Sequence, residues 1–241
     1  MNIGQLVLGL ISIGIVTAFN LYLFAIDRLS SSFAIVSGIW IVMSWALGKY
    51  IDLLRYTITY DSLTSAYSRT VAVKQYRRLL HRAKRKNGAV AIYFIDVDNF
   101  KQINDNYGHN IGDKMLSKIA DQLLQLRIPE KVVVRWGGDE FVVMVPCQSE
   151  HEVEAALHLM NKSIQSINQQ GTISLSISLG TAVYSHRGSH QGARPKQLEQ
   201  LVDMADKQML WNKQRKKMNM TVISKHTGTG RYYPNLCRKM F

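Results

Sequence analysis

Four carboxylates and two glycines in this sequence have the types and spacing for phosphoryl chemistry. Asp139 and Glu140 stand side by side after Gly137 and Gly138, between the apolar runs Val132–Trp136 and Phe141–Val145. The two runs predict a β-hairpin whose turn carries the acid pair. Adjacent carboxylates repel unless a cation holds them, and a divalent metal is the usual cation. The glycines let a ligand approach the backbone closely, because no Cβ intervenes. Asp96 and Asp98 end a second apolar run, Ala89–Ile95, where strand alternation puts them on one face. Acids at a strand end beside an acidic hairpin turn are what metal-dependent phosphoryl transfer uses, with Mg²⁺ on Asp96 and Asp139. Taken alone, the D-x-D reads sooner as a strand-to-helix cap with Asp98 accepting helix N–H bonds; together with Asp139 and Glu140 it reads as a metal site. Lys101 stands where a point charge meets phosphate, and the N–H groups around Asn99 and Phe100 open a helix that can hold an anion. Asn104 and Asp113 pair an amide with a carboxylate, a combination able to read guanine; singly, each is an ordinary cap or surface residue.

The elements that must position these groups alternate along the chain. A helix is expected over Ser68–Lys86 with Ser68 as N-cap, then the strand Ala89–Ile95. Short helical turns and a longer helix fill Phe100–Leu126. After the hairpin come a helix over His151–Gln170, an alternating strand over Ile173–Tyr184 and a loop over Arg187–Pro195. A helix over Pro195–Lys217, a short strand Thr221–Ser224 and a basic tail, 225–241, complete the chain. The expected fold class is α+β, with a mostly antiparallel sheet.

The N-terminal stretch differs. Ile3–Ile26 and Ser32–Gly48 are apolar, separated by Asp27 and Arg28. Their lengths meet or approach the roughly 20 residues that cross a bilayer. No Lys or Arg precedes Arg28, which argues against a signal peptide. The expectation is a two-helix membrane anchor over residues 1–54. The basic chain that follows places residues 55–241 on the cytoplasmic side by the positive-inside rule. The protein carries 30 Lys and Arg against 17 Asp and Glu, a net charge of +13. No nucleic-acid-binding motif accompanies that charge, so anionic membrane lipid is the simpler partner for the basic helix ends. The two cysteines, Cys147 and Cys237, lie far apart and suit a reducing compartment.

The block D-V-D-N-F-K-Q-I-N-D-N-Y-G-H-N-I-G-D at Asp96–Asp113, followed by R-W-G-G-D-E-F at Arg135–Phe141, resembles the GGDEF domain of diguanylate cyclases. D-S-L-T-S-A-Y-S-R at Asp61–Arg69 is similar to that family's opening motif, and A-D-K-Q-M-L-W-N-K at Ala205–Lys213 to its late helix. The resemblance spans residues 55–224. It implies a nucleotidyl-cyclase palm, a ferredoxin-like sheet with flanking helices. It implies condensation of two GTP into cyclic di-GMP and two pyrophosphates across a homodimer; with the two apolar segments, the expected location is the inner membrane of a bacterium, as a multi-pass protein. It further implies that Asp96, the Val97 carbonyl and Asp139 hold Mg²⁺ (or Mn²⁺), and that Glu140 contacts metal or accepts a proton. Asn104 and Asp113 match the guanine readers, with His109 in the same motif. Gly137 and Gly138 line the nucleotide, and Lys101 and Lys213 match the phosphate lysines. Lys217 stands where the family has Arg, keeping the charge without the bidentate fork. Ser65, Ala66 and Ser68 replace the family's Gly, Leu and Asn. A GTP-binding or partner-binding membrane regulator without catalysis is the alternative these departures leave. The family's inhibitory product motif, R-x-x-D, falls here on Ile128 and Lys131. Arg127 and Glu130 form R-x-x-E one residue out of register, so product inhibition through that motif is not expected.

Overall fold

The computed structural model describes residues 3–26, 31–168, 173–185 and 197–223; side chains are not described at 31, 32, 34 and 216–223. The expected loop 187–195, the tail 225–241 and the turn at Asp27–Arg28 lie outside these residues. The chain divides into two compact units, Met1–Thr59 and Tyr60–Phe241.

The first unit pairs α1 (Ile3–Ala25) with α2 (Ser31–Thr59). Asp52 on α2 accepts the free N–H groups of Gly4 and Gln5, both at 3.0 Å, and so caps the start of α1. Gly48 makes this approach possible, since a Cβ there would lie 2.7 Å from Gln5 Cα. Farther along, Asn20 Nδ2 donates to Ser37 Oγ at 3.1 Å. Most side chains of α1 are exposed and apolar, among them Leu10, Ile15, Leu21 and Phe24. Among the described residues, α1 alone is long and apolar enough to cross a membrane. The expectation of two spanning helices is corrected: the described part of α2 runs into Lys49, Asp52 and Arg55, which interrupt its apolar stretch.

The second unit is an α+β domain on one five-stranded sheet. In chain order its elements are β1 (Tyr67–Ser68), α3 (Arg69–Arg85), β2 (Ala89–Val97), α4 (Phe100–Tyr107), α5 (His109–Gln125), β3 (Val132–Arg135), β4 (Glu140–Cys147), α6 (Glu150–Asn168), β5 (Ile177–Ser185) and α7 (Leu198–Ile223). The strand order is β1-β3-β4-β2-β5. All pairs are antiparallel except β1 with β3, where Tyr67 faces Val134 and Ser68 faces Arg135. The central strand β2 is covered on both faces, which explains its continuous apolar run. Ala91, Tyr93 and Ile95 pack with Leu116, Ile119 and Met160 of α5 and α6. Val90, Ile92 and Phe94 pack with Tyr76, Leu79, Leu201 and Met209 of α3 and α7.

Three local details depart from expectation. Ser68 occupies the N-cap position of α3, yet its side chain makes no cap hydrogen bond there. β5 begins at Ile177, because Leu175 is instead clipped to Asn168 by paired hydrogen bonds of 2.7 Å. Thr221–Ile223 continue α7 rather than forming a strand. Ser65, where the family has Gly, has φ +56°, a left-handed conformation that Gly adopts without steric cost.

Helix α7 is held tight against β5 at Gly180. A Cβ on Gly180 would overlap the Ala205 carbonyl and approach Met209 N to 2.5 Å. Gln208 accepts the Thr181 N–H, and Asn212 donates to the Leu179 carbonyl at 3.3 Å. This seating delivers Asp206 and Lys213 to the end of β2.

Candidate active site

The sheet register brings the expected acids together. Asp96 is the last β2 residue paired with β4, and its partner is Glu140. On its other side Asp96 pairs with Ser178 of β5. Even-numbered residues of β2 and β4 face α3 and α7, so Asp96 and Glu140 emerge on that face where the strands end. The hairpin turn closes when Trp136 and Gly137 N–H both donate to the Glu140 carbonyl, at 2.8 and 3.3 Å. Val97 N–H donates to the Asp139 carbonyl at 3.3 Å, tying the turn to the end of β2. Gly137 leaves room for the Glu140 carboxylate: a Cβ there would sit 2.4 Å from Glu140 Oε2 and turn that side chain aside. Gly138 faces open space, as a backbone lying under a ligand would.

Two arginines brace the turn, and neither was assigned a role from sequence. Arg135 donates through Nε and Nη2 to the Gly138 carbonyl at 3.2 and 2.8 Å, and through Nη1 to Asp61 Oδ1 at 3.0 Å. Asp61 also accepts the Thr64 N–H and hydroxyl, at 2.9 and 2.7 Å. Burial pushes the Asp61 carboxyl up, but these bonds outweigh it and hold its pKa below the ordinary value. The second arginine, Arg69, opens α3 and stacks its guanidinium 4.5 Å from the Trp136 ring centre.

The electrostatics favour a cation. The Glu140 carboxyl is pushed up first by burial and then by Asp139, Asp96 and Asp206, with Arg69 opposing. Asp206 is raised by burial, then by Asp203 and Asp96. Asp206 is a site residue that sequence reasoning missed; its signal was the aspartate of the A-D-K run at Ala205–Lys207. Lys213 meets these acids, with Nζ 2.5 Å from Asp96 Oδ2 and 3.4 Å from Asp98 Oδ1. Burial works against its charge, yet the bond and charge of Asp96, then Asp98, keep its pKa above the ordinary value. Asp98 is no helix cap: it accepts the hydroxyls of Ser176 and Ser178 at 2.8 and 2.6 Å.

Among the described residues, no three His, Cys, Asp or Glu side chains gather closely enough to hold a metal by themselves. A Mg²⁺ ion takes one or two protein carboxylates and fills its remaining positions with water and phosphate oxygens. Hard oxygen donors on Asp96 and Asp139 are the right chemistry for it.

The remaining expected residues lie on α4 and α5. Asn104 Oδ1 is buried with no hydrogen-bond partner among the described residues, an amide whose needs the protein leaves unmet. It fits where it does because residue 112 is Gly: a Cβ there would overlap Asn104 Oδ1. Asp113, the next residue, is exposed, as are Lys101 in the first turn of α4 and His109 at the start of α5. Lys217 lies in α7 with its side chain outside the description.

The two residues at the displaced product motif, Ile128 and Lys131, are part-buried. Ile128 packs against the core, and Lys131 Nζ donates to the Leu126 carbonyl at 2.6 Å, with burial lowering its pKa. Glu130 is engaged by Arg82 and Lys86, each at 3.5 Å.

The sequence pattern of the family described as "Diguanylate cyclase, GGDEF domain" matches residues 58–219. The chain belongs to that family. It is 27% identical over 168 residues to diguanylate cyclase DosC of Escherichia coli, covering 68% of this chain and 35% of DosC. It is 32% identical over 137 residues to the cyclic di-GMP phosphodiesterase NbdA of Pseudomonas aeruginosa, covering 56% of this chain and 18% of NbdA. The chain thus spans well under half of these relatives' length. Its fold is that of the coiled coil and GGDEF domain of DgcB from Caulobacter crescentus, solved with c-di-GMP. The TM-score is 0.64 at 20% identity, over 77% of this chain and 95% of that one.

Proposed function

We propose that this protein is a diguanylate cyclase. It joins two GTP molecules into cyclic di-GMP with release of two pyrophosphates, using two copies of the domain face to face. The observation that carries this reading is the Asp96–Glu140 pair across β2 and β4, with Asp139 in the adjoining turn. Such a concentration of acids has little purpose in a binding-only relic, because its members repel one another.

Each copy holds one GTP. Asn104 and Asp113 read the guanine, with His109 beside them; the unmet Asn104 amide supports this assignment. Gly137 and Gly138 let the nucleotide lie on the turn. Lys101 and Lys213 draw in the phosphates, and Lys217 adds charge farther along α7. Asp96, the Val97 carbonyl and Asp139 would hold Mg²⁺ or Mn²⁺, which would supply positive charge to neutralise the phosphates and polarise the α-phosphate. Glu140 takes the proton as the 3′-hydroxyl of one nucleotide attacks the α-phosphate of the other. Because attacker and target sit on different copies, turnover requires a dimer.

The apolar, exposed surface of α1 supports attachment to a bacterial inner membrane with the domain in the cytoplasm. Basic residues near anionic lipid then add about 1 kcal/mol each. The test is conversion of GTP by the purified full chain with Mg²⁺. Cyclic di-GMP must appear, and Asp139→Ala must abolish it while the protein stays folded. Absence of product at every protein concentration refutes the enzyme.

A further inference from the structure

Lys213 is in the wrong place for a lysine that only binds phosphate. Its ammonium lies 2.5 Å from Asp96 Oδ2, on the carboxylate that the proposed function gives to the metal. A Mg²⁺ ion binds a carboxylate oxygen at about 2.0–2.1 Å. An ammonium in hydrogen-bond contact with that oxygen competes for the same electron pairs and repels the incoming ion. Lys213 on that oxygen therefore opposes binding of the metal.

Asp98 supplies the second half of the device. It is fixed by Ser176 and Ser178, and its own N–H donates to the Ser176 carbonyl at 2.9 Å. It stands 3.4 Å from the Lys213 ammonium. Asp98 is thus a rigid post from which the lysine swings, while Asp96 is the partner it surrenders. Lys213 is only 30% exposed and rides on α7, which Gly180 clamps to β5, so the swing is short.

We propose that Lys213 is a tethered surrogate cation: it occupies Asp96 while the metal is absent, and gives Asp96 up when metal arrives together with a nucleoside triphosphate. The inference rests on the reading of Asp96 as a metal ligand. The triphosphate oxygens take over the ammonium that the metal displaces, so metal and nucleotide assist each other's binding. Metal alone meets a site already neutralised by lysine and binds poorly. The resting protein avoids an uncompensated cluster of acids, and productive metal binding is confined to complexes that hold substrate.

The test measures Mn²⁺ binding to the full-length protein without nucleotide, by the electron paramagnetic resonance signal of the free ion. Lys213→Met is expected to bind Mn²⁺ at least tenfold tighter than wild type. Adding Asp96→Asn to that variant should abolish the gain, whereas Lys213→Arg, which keeps a cation there, should bind as weakly as wild type. Asp98→Asn, which removes the post to which the lysine retreats and one nearby negative charge, should weaken Mn²⁺ binding relative to wild type. Circular dichroism confirms that each variant is folded. If Lys213→Met binds Mn²⁺ no tighter than wild type, or Asp98→Asn binds it more tightly than wild type, the surrogate role is refuted. The underlying metal reading fails separately: Asp96→Asn alone would then retain normal turnover.

Discussion

Gly112→Ala should damage nucleotide binding while sparing the fold. A Cβ at residue 112 would lie 1.9 Å from Asn104 Oδ1, 3.0 Å from its Cγ and 3.1 Å from Phe100 Cζ. Ordinary contact begins at 3.4 Å, so the amide oxygen must retreat by roughly 1.5 Å. A hydrogen bond of normal length does not survive that displacement. Loss of one such bond, with a buried polar group left unpaired, costs about 1–3 kcal/mol, a factor of roughly 5 to 150 in affinity. Stability falls by no more than about 2 kcal/mol, because overpacking costs about 1–3 kcal/mol while Ala in place of a helical Gly returns about 1. The assay is calorimetric binding of 3′-deoxy-GTP, which lacks the attacking hydroxyl, to wild type, Gly112→Ala, Asn104→Ala and the double variant. Both single variants should bind at least fivefold more weakly. The double variant should be no worse than the weaker single, because both act through one amide. Normal affinity in Gly112→Ala, or additive losses in the double variant, would refute the placement of Asn104 in the guanine site.

Three further outcomes follow from the geometry. Gly180→Val should lower the melting temperature by several degrees and reduce activity with it, because a side chain there pushes α7 away from β5 at Ala205 and Met209; an unchanged melting curve would contradict the clamp. Asp61→Asn should destabilise the protein by about 1–2 kcal/mol at neutral pH. Since the folded pKa of Asp61 is lowered, its contribution is present above the ordinary carboxylate value of about 3.9 and is lost as pH falls through the lowered one, so denaturation curves of the two proteins should converge in acid. Cyclic di-GMP should not inhibit through the Ile128–Lys131 segment, where Ile128 packs against the core and Lys131 is bonded to the Leu126 carbonyl; strong inhibition that depends on Arg127 would overturn this.

The site was legible where chemistry is written in local sequence. The acid pair in a glycine turn and the acids ending a buried strand are short-range patterns, and the register then brought Asp96 opposite Glu140. Contacts across long stretches of chain were not legible. Arg135 reaches Asp61, Arg69 stacks on Trp136 and Asp206 approaches Asp96 only after the sheet is assembled and α7 is seated. The parallel pairing of β1 with β3 was missed because a two-residue strand has no periodicity to read. Helix α7 outran its expected end because the β-branched Thr221 and Val222 suggested a strand, although helix propensities differ by less than about 1 kcal/mol per residue. The second apolar segment read as a membrane span from its first residues, whereas the described helix carries Lys49, Asp52 and Arg55 in its second half.

The central claim is that two copies of this acidic site make one bond-forming centre. Its most direct test is the rate of cyclic di-GMP formation from GTP and Mg²⁺ by the full chain, followed across protein concentrations spanning the monomer–dimer transition. The rate per chain should rise with the dimer fraction and then level off, and Asp139→Ala should give none at any concentration. A rate per chain independent of dimer fraction, or product formation by Asp139→Ala at the wild-type rate, would contradict the account.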